Sequence, residues 1–402
     1  MNKIIKKPEL LAPAGDLERL KIAIKYGADA VYVGGINFGL RANATNFNLD
    51  ELKEGIEFAH KYSKKVYVTV NIVLHNKEIE NLLSYLKDLE RINVDAIIVS
   101  DPAIIKIARE NTSLEIHLST QQSCLNVESA KFFKSEGVSR IVLARETTKE
   151  DIKAIIDNVG IEIECFAHGA MCASYSGRCV LSNFLTSRDS NRGGCSQICR
   201  WDFDLKTDEQ KYLTGEKPFT FCTKDLSLLK YIPEMINMGV SSFKLEGRMR
   251  SIYYVATIVS TYRKVIDEYC SNPQHYEYNS NYEKILMNCA NRDSVVQFFD
   301  GIYDESCQYY NGRIEVSNQD FLGVVLGYDT NKKQVLLEQR NYFKKGDIVE
   351  FFGPNTAPFT FEIDKIIDET DCEIDIVRHP RQVVKIPISK ELEVDSMMRI
   401  KR

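Results

Sequence analysis

The chain reads as an α/β protein: a TIM-like (β/α)8 barrel with a cysteine-bearing insertion, followed by a small all-β barrel. Three observations predict this. Short apolar, β-branched runs alternate with longer amphipathic stretches from Glu9 to about Gly247, the pattern of repeated strand and helix units around a parallel sheet. These runs are eight in number, at 9–13, 30–34, 65–71, 95–100, 115–119, 140–144, 161–167 and 242–246, the count at which such units close into a cylinder. From 322 onward, strand-like runs are separated by turn signals alone.

Between the strands, 17–26, 49–62, 78–91, 102–110, 127–136 and 149–158 place apolar residues three and four apart and read as helices. No Gly-x-Gly-x-x-Gly turn follows the first strand, which puts an open doubly wound sheet second to the barrel. After the seventh strand the alternation stops, and an insertion at about 168–240 lies over the barrel mouth. Inside it, 219–221 reads as an extra strand and 227–238 as a helix. The long helix expected at 251–269 covers the barrel's outside. A shift to Asn, Tyr and Ser at 271–282 reads as a linker. The domains are thus expected at 1–270 and 316–402, joined by a connecting segment at 271–315. The second domain holds expected strands at 322–328, 334–339, 348–352, 359–367, 372–377 and 383–386, with turns such as Asp329-Thr330-Asn331 and Gly353-Pro354-Asn355.

The 402 residues, 44% apolar and 27% charged, fit a folded globular chain and exclude extensive disorder. The opening Met-Asn-Lys-Ile-Ile-Lys-Lys-Pro holds no apolar stretch long enough for a signal peptide, and no run reaches the roughly eighteen apolar residues of a membrane span. A cytoplasmic location is expected, and there the eleven cysteines are not a disulfide framework. A net charge of −5 gives no global nucleic-acid signature, so any RNA contact must be local. Two stretches qualify as basic patches. Four arginines face one acid, Asp189, in 172–200, and five basic residues face Glu246 in 243–264. Tyr175, Phe184 and Trp201 lie in the insertion and could stack on an unpaired base, although packing of the loop explains each of them as well.

In a barrel of this kind reactive groups sit at the carboxyl ends of the strands. Asp16, Arg41, Asn71, Asp101, Gln121, Gln122, Arg145, Glu146, His168, Glu246 and Arg248 follow the successive strands. Asp16 and Asp101 precede helices and are expected to cap them. Arg41, Arg145, Arg178 and Arg248 could converge and clamp a carboxylate or phosphate. Cys172, Cys179, Cys195 and Cys199 are spaced Cys-x6-Cys-x15-Cys-x3-Cys, which is neither a zinc knuckle nor a ferredoxin run. Four thiolates still suit an iron-sulfur cluster or zinc, with Cys222 able to replace one of them. Burial as small apolar groups is the plain alternative. No His-Glu-x-x-His or Gly-x-Ser-x-Gly is present, and His168 could pair with Cys172 or simply order its loop.

Glu164, Phe166, Gly169, Ala170, Met171, Cys172, Gly177, Cys179 and Ser182 resemble the signature of the U32 family, historically called collagenase-like peptidases. Glu9 to Asp16, Ala28 to Gly34, Ser119-Thr-Gln121, Arg192-Gly-Gly-Cys195, Cys199-Arg-Trp201, Thr223 to Leu226 and Lys244 to Ser251 are similar to further landmarks, and Glu338-Gln-Arg340, Gly346-Asp347 and His379-Pro380 to those of the terminal β domain. The stretch 288–301 departs from the family's glycine- and threonine-rich pattern. The resemblance implies a TIM-like catalytic domain and is nearest to bacterial prephenate-dependent tRNA hydroxylases that form 5-hydroxyuridine at the wobble position. It implies a 4Fe-4S cluster on Cys172, Cys179, Cys195 and Cys199, with Cys222 as an alternate. The expected partners are tRNA, a small dicarboxylate such as prephenate and a protein of the same family, with no membrane. His168, Arg41, Arg145, Arg178, Glu246 and Arg248 become the candidate catalytic residues. A peptidase using Cys172 and a zinc-binding scaffold are the competing readings.

Overall fold

The computed structural model describes residues 6–40, 46–204, 206–208, 218–290, 292–301, 303–309 and 320–401. Seven parallel strands follow one another round a sheet: β1 (Glu9–Pro13), β2 (Ala30–Gly34), β3 (Lys65–Val70), β4 (Ala96–Val99), β5 (Glu115–Leu118), β6 (Arg140–Val142) and β7 (Glu162–Gly169). A short strand from the insertion, β8 (Asp225–Ser227), runs antiparallel to the end of β7. Then β9 (Ser242–Leu245) closes the cylinder, with Phe243 registered against Leu10 of β1 on one side and Cys165 of β7 on the other. The barrel expected from the eight apolar runs is the barrel observed.

Six helices alternate with the wall strands: α1 (Leu17–Lys25), α2 (Leu49–Lys61), α3 (Asn76–Arg91), α4 (Pro102–Asn111), α5 (Val127–Ser135) and α6 (Lys149–Val159). Their starts are fixed locally. Asp16, Asn48, Asp101, Asn126 and Thr148 each accept a backbone N–H of the first turn through the side chain, satisfying donors that the helix itself leaves unpaired. Alternation along the strands then sorts side chains between two cores. Val31 and Val33 join the layer under the helices, while Ala30 and Tyr32 join Leu11, Tyr67, Ala96 and Ile98 inside the cylinder.

The insertion carries α7 (Leu181–Thr186) and α8 (Ile232–Met238), and α9 (Ile252–Ser271) follows the closing strand. Two expectations need correction here. The stretch 219–221 is no strand: Phe219 makes a single bridge to Phe203, and the rings of Phe203, Phe219 and Phe221 cluster. The helix expected over 227–238 starts only at Ile232, after a tight turn at Leu229–Tyr231, because Pro233 fits a first helical turn, where no N–H is required. Nor is 271–315 merely a connector. Its α10 (Asn281–Cys289) buries Tyr282, Leu286 and Cys289 in the same apolar core as α9, and β10 (Ser294–Val295) pairs with β8.

Among the described residues the terminal domain is an antiparallel half-barrel of eight strands with a two-stranded ribbon of 343–344 and 376–377, around its own core that includes Leu322, Val335, Phe343, Val349 and Phe351. Its interior strand at Met397–Ile400 pairs with both Phe321–Asp329 and Ile348–Phe352. Sequence reading overlooked it, since Met397-Met398 lacks the β-branched signature of a strand. The domain is seated on the barrel's flank. Tyr253 stacks on Phe321 at 4.8 Å, the Tyr26 hydroxyl donates to the Asp395 carbonyl at 2.7 Å, and Val324, Phe352 and Met397 belong to the barrel's apolar core.

Candidate active site at the barrel mouth

Charged side chains enter the cylinder at both ends. At the floor, Arg140 of β6 reaches Glu9 at 2.5 Å, Glu162 at 2.7 Å and Glu164 at 3.3 Å, and Lys244 of β9 reaches Glu164 at 2.9 Å. Burial works to raise the Glu164 carboxyl pKa, but Lys244, Arg140 and His117 outweigh it and hold the carboxyl below its usual range. Arg140 was not singled out from sequence, and Lys244 only as the start of a landmark stretch. The available signal was a charged residue inside an otherwise apolar β-run.

At the mouth, Arg145 lies flat over the Phe166 ring at 3.8 Å and approaches Glu246 at 3.5 Å. The Tyr32 hydroxyl stands 3.2 Å from the same carboxylate. Arg248 donates to Asn46 at 2.9 Å and occupies space that only glycine leaves open: a Cβ on Gly34 would come within 2.4 Å of its Nη1. The structure therefore brings Arg145, Glu246 and Arg248 to one rim. Arg178 is exposed on the insertion, with no side-chain hydrogen bond or ion pair to a described residue. Arg41 lies outside the described residues.

His168 is not at the mouth, and its catalytic reading needs correction. The register shift in β7 between Phe166 and His168 turns the imidazole toward α9, where it lies 3.4 Å from the Tyr262 hydroxyl and beside the Tyr254 ring. Burial, reinforced by Arg250, lowers its pKa to about 4, so the ring is neutral at ordinary pH. Asp16 and Asp101 serve as helix caps, as expected.

The insertion is anchored by Glu146, whose carboxylate accepts the Ser176 backbone N–H at 3.1 Å and the Ser176 hydroxyl at 3.2 Å. Burial raises the Glu146 pKa against these bonds and Arg145. Gly177, at φ +72°, packs so closely on the mouth that a Cβ would lie 2.1 Å from the Gln121 carbonyl. Beyond this anchor the thiols gather. None of the eleven cysteines is in a disulfide. Cys199 is pushed up to about 11, first by burial and then by Cys172, Cys195 and Cys222, so these four share one electrostatic neighbourhood. Cys179 is half-buried on the same insertion, and its carbonyl accepts from Asn191 at 2.9 Å. Four thiols fit a soft metal or cluster in kind, although among the described residues no three His, Cys, Asp or Glu are drawn to metal-holding distance.

The second basic patch does not exist as a surface. Lys244 is inside the barrel, and Arg263 pairs with Asp29 and Asp267. Within the insertion, Arg192 pairs with Glu78, while Tyr175, Phe184 and Trp201 are exposed. No described helix is long and apolar enough to cross a membrane.

Comparison with known proteins agrees with this architecture. Over 98% of its length the chain is 52% identical to tRNA hydroxylation protein P1 of Bacillus subtilis, covering 95% of that protein. It is 30% identical to tRNA hydroxylation protein P of Escherichia coli, over 97% of this chain and 95% of that one. A 23S rRNA 5-hydroxycytidine synthase of Escherichia coli is 42% identical over 64% of this chain and 39% of its own. Sequence models of peptidase family U32 and of the peptidase family U32 C-terminal domain match residues 15–308 and 317–399. The chain belongs to peptidase family U32.

Proposed function

We propose that this protein is an RNA hydroxylase, and more narrowly that it converts the wobble uridine of tRNA to 5-hydroxyuridine with prephenate as co-substrate. The observation that carries the reading is the 52% identity, over nearly the whole of both chains, to a tRNA hydroxylation protein. The geometry suits it. Arg145 is held by Phe166 but only loosely by Glu246, so its guanidinium can accept a carboxylate of a small dicarboxylate. Glu246, steadied by Tyr32, is placed to hold a proton at the reacting position. Tyr175, Phe184 and Trp201 offer faces on which unpaired bases of an anticodon loop could stack.

A 4Fe-4S cluster belongs to the proposal. Cys172, Cys179, Cys195 and Cys199 would hold it, with Cys222, which lies close enough to Cys199 to raise its pKa, as the alternate fourth thiol. Such a group would supply one-electron transfer beside the mouth. The peptidase reading finds no base in His168, which faces α9. Mass spectrometry of tRNA nucleosides from a strain lacking the gene tests the function: 5-hydroxyuridine derivatives should vanish and return on complementation. Unchanged levels, with no redundant pathway present, would remove the reading.

A further inference from the structure

The mouth has a second half that Arg145, Glu246 and Arg248 do not use. At the carboxyl ends of β3, β4 and β5, a cleft of about 210 Å³ is lined by Asn71, Ser100, Asp101, Gln121, Gln122 and, from the insertion, Asn191. We propose that this cleft is the nucleobase pocket of the enzyme, that it takes one unpaired pyrimidine, and that Gln121 reads uracil against cytosine. The inference rests on the RNA reading above and deepens it.

Size comes first. The volume of about 210 Å³ holds about seven waters at roughly 30 Å³ each, room enough for a pyrimidine ring with its exocyclic atoms. Chemistry comes second. The lining is built from carboxamides, and each carries a donor beside an acceptor, the complement of the alternating carbonyl and N–H edge of uracil. Asn71 is fixed in place: its oxygen accepts from Leu40 at 3.2 Å and its nitrogen donates to Ser119 at 3.2 Å. Gln122 donates to the Ser100 carbonyl. Gln121 differs, because its half-buried side chain has no hydrogen-bond partner among the described residues while its backbone is pinned by the Ser119 hydroxyl. A half-exposed carboxamide at a cleft wall whose donor and acceptor no described residue engages can hydrogen-bond a ligand.

Charge decides between a base and a phosphate. The acid in the cleft is Asp101, whose carboxylate accepts from Ala103 at 2.9 Å and Leu74 at 3.3 Å. Its negative charge repels a phosphate, and among the described residues no Lys or Arg lines the cleft to offset it. Arg145 and Arg248 reach Glu246 and Asn46 away from the cleft lining, so among the described residues the groups suited to an anion and those suited to a neutral base are separate. Gly177 allows the arrangement, since a side chain there would push the insertion off Gln121.

The test uses the full chain and synthetic tRNA anticodon stem-loops with uridine, cytidine or an abasic nucleotide at the first anticodon position, with binding read by fluorescence anisotropy. The wild type should bind the uridine loop about tenfold tighter than the abasic loop. Gln121→Glu replaces a donor-acceptor pair by acceptors only, which suit the amino group of cytosine, and should shift the uridine-to-cytidine preference by about tenfold toward cytidine. Gln121→Met, which keeps the bulk, should lose the preference without gaining cytidine binding, and thermal melts identify any variant that fails to fold. Equal binding of uridine and abasic loops by the wild type, or an unchanged preference in both variants, overturns the pocket and leaves the RNA reading standing. Failure to bind any loop, together with unchanged nucleosides in the deletion strain, overturns both.

Discussion

The floor and the mouth of the same barrel handle charge in opposite ways. At the floor, Arg140 and Lys244 are almost fully buried and share the wholly buried Glu164 at 3.3 and 2.9 Å. At the mouth, Arg145 and Glu246 stay 3.5 Å apart and partly exposed. Removing a partner from a dry, matched pair leaves a buried charge uncompensated, whereas a wetter and looser pair can exchange its partner for a ligand. The floor is therefore built to hold the cylinder, and the mouth to bind.

The sharpest way to break this contrast is Glu164→Ala, which leaves Lys244 and Arg140 facing each other without their shared acid. Urea denaturation should show a loss of about 3–5 kcal/mol; an unchanged midpoint would mean that the floor is not structural. His168 tests the wall between the two ends. Its folded pKa of about 4 lies below the ordinary 6.5, so between those values the unfolded chain takes up a proton that the folded chain refuses. Stability should fall as pH drops through that window, by up to about 3 kcal/mol, and level off below it. Urea midpoints at neutral and acid pH should show this limb in the wild type and a flatter one in His168→Gln. At the mouth, Arg145→Ala should cut hydroxylated-nucleoside formation about a hundredfold, on the scale of losing one preorganised charge-stabilising donor, while the melting temperature stays near that of the wild type. A parallel loss of stability would place Arg145 with the floor residues. The smallest effect is expected from Gly177→Ala, about 2 kcal/mol from the positive φ and the close Gln121 carbonyl, visible as a lowered melting midpoint.

The barrel was legible in sequence because alternation and helix caps are local. Asp16 and Asp101 announce their helices, and runs such as Ala30 to Gly34 carry strand periodicity on their face. The site was only partly legible. Arg145, Glu246 and Arg248 follow their strands and could be placed by topology alone, but His168 follows one too and turns the other way, since a register shift in β7 leaves no mark in a single sequence. Lys244 and Glu164 meet only after the cylinder closes, across 80 positions of chain. The grouping of Cys222 with Cys172, Cys195 and Cys199 depends likewise on how the insertion folds back, which spacing does not encode.

The shared core between the half-barrel and the cylinder has a mechanical consequence. With Val324, Phe352 and Met397 built into the larger domain's interior, the smaller one cannot swing on a hinge without exposing that interior to water. Any motion between the two domains would have to break this shared packing first.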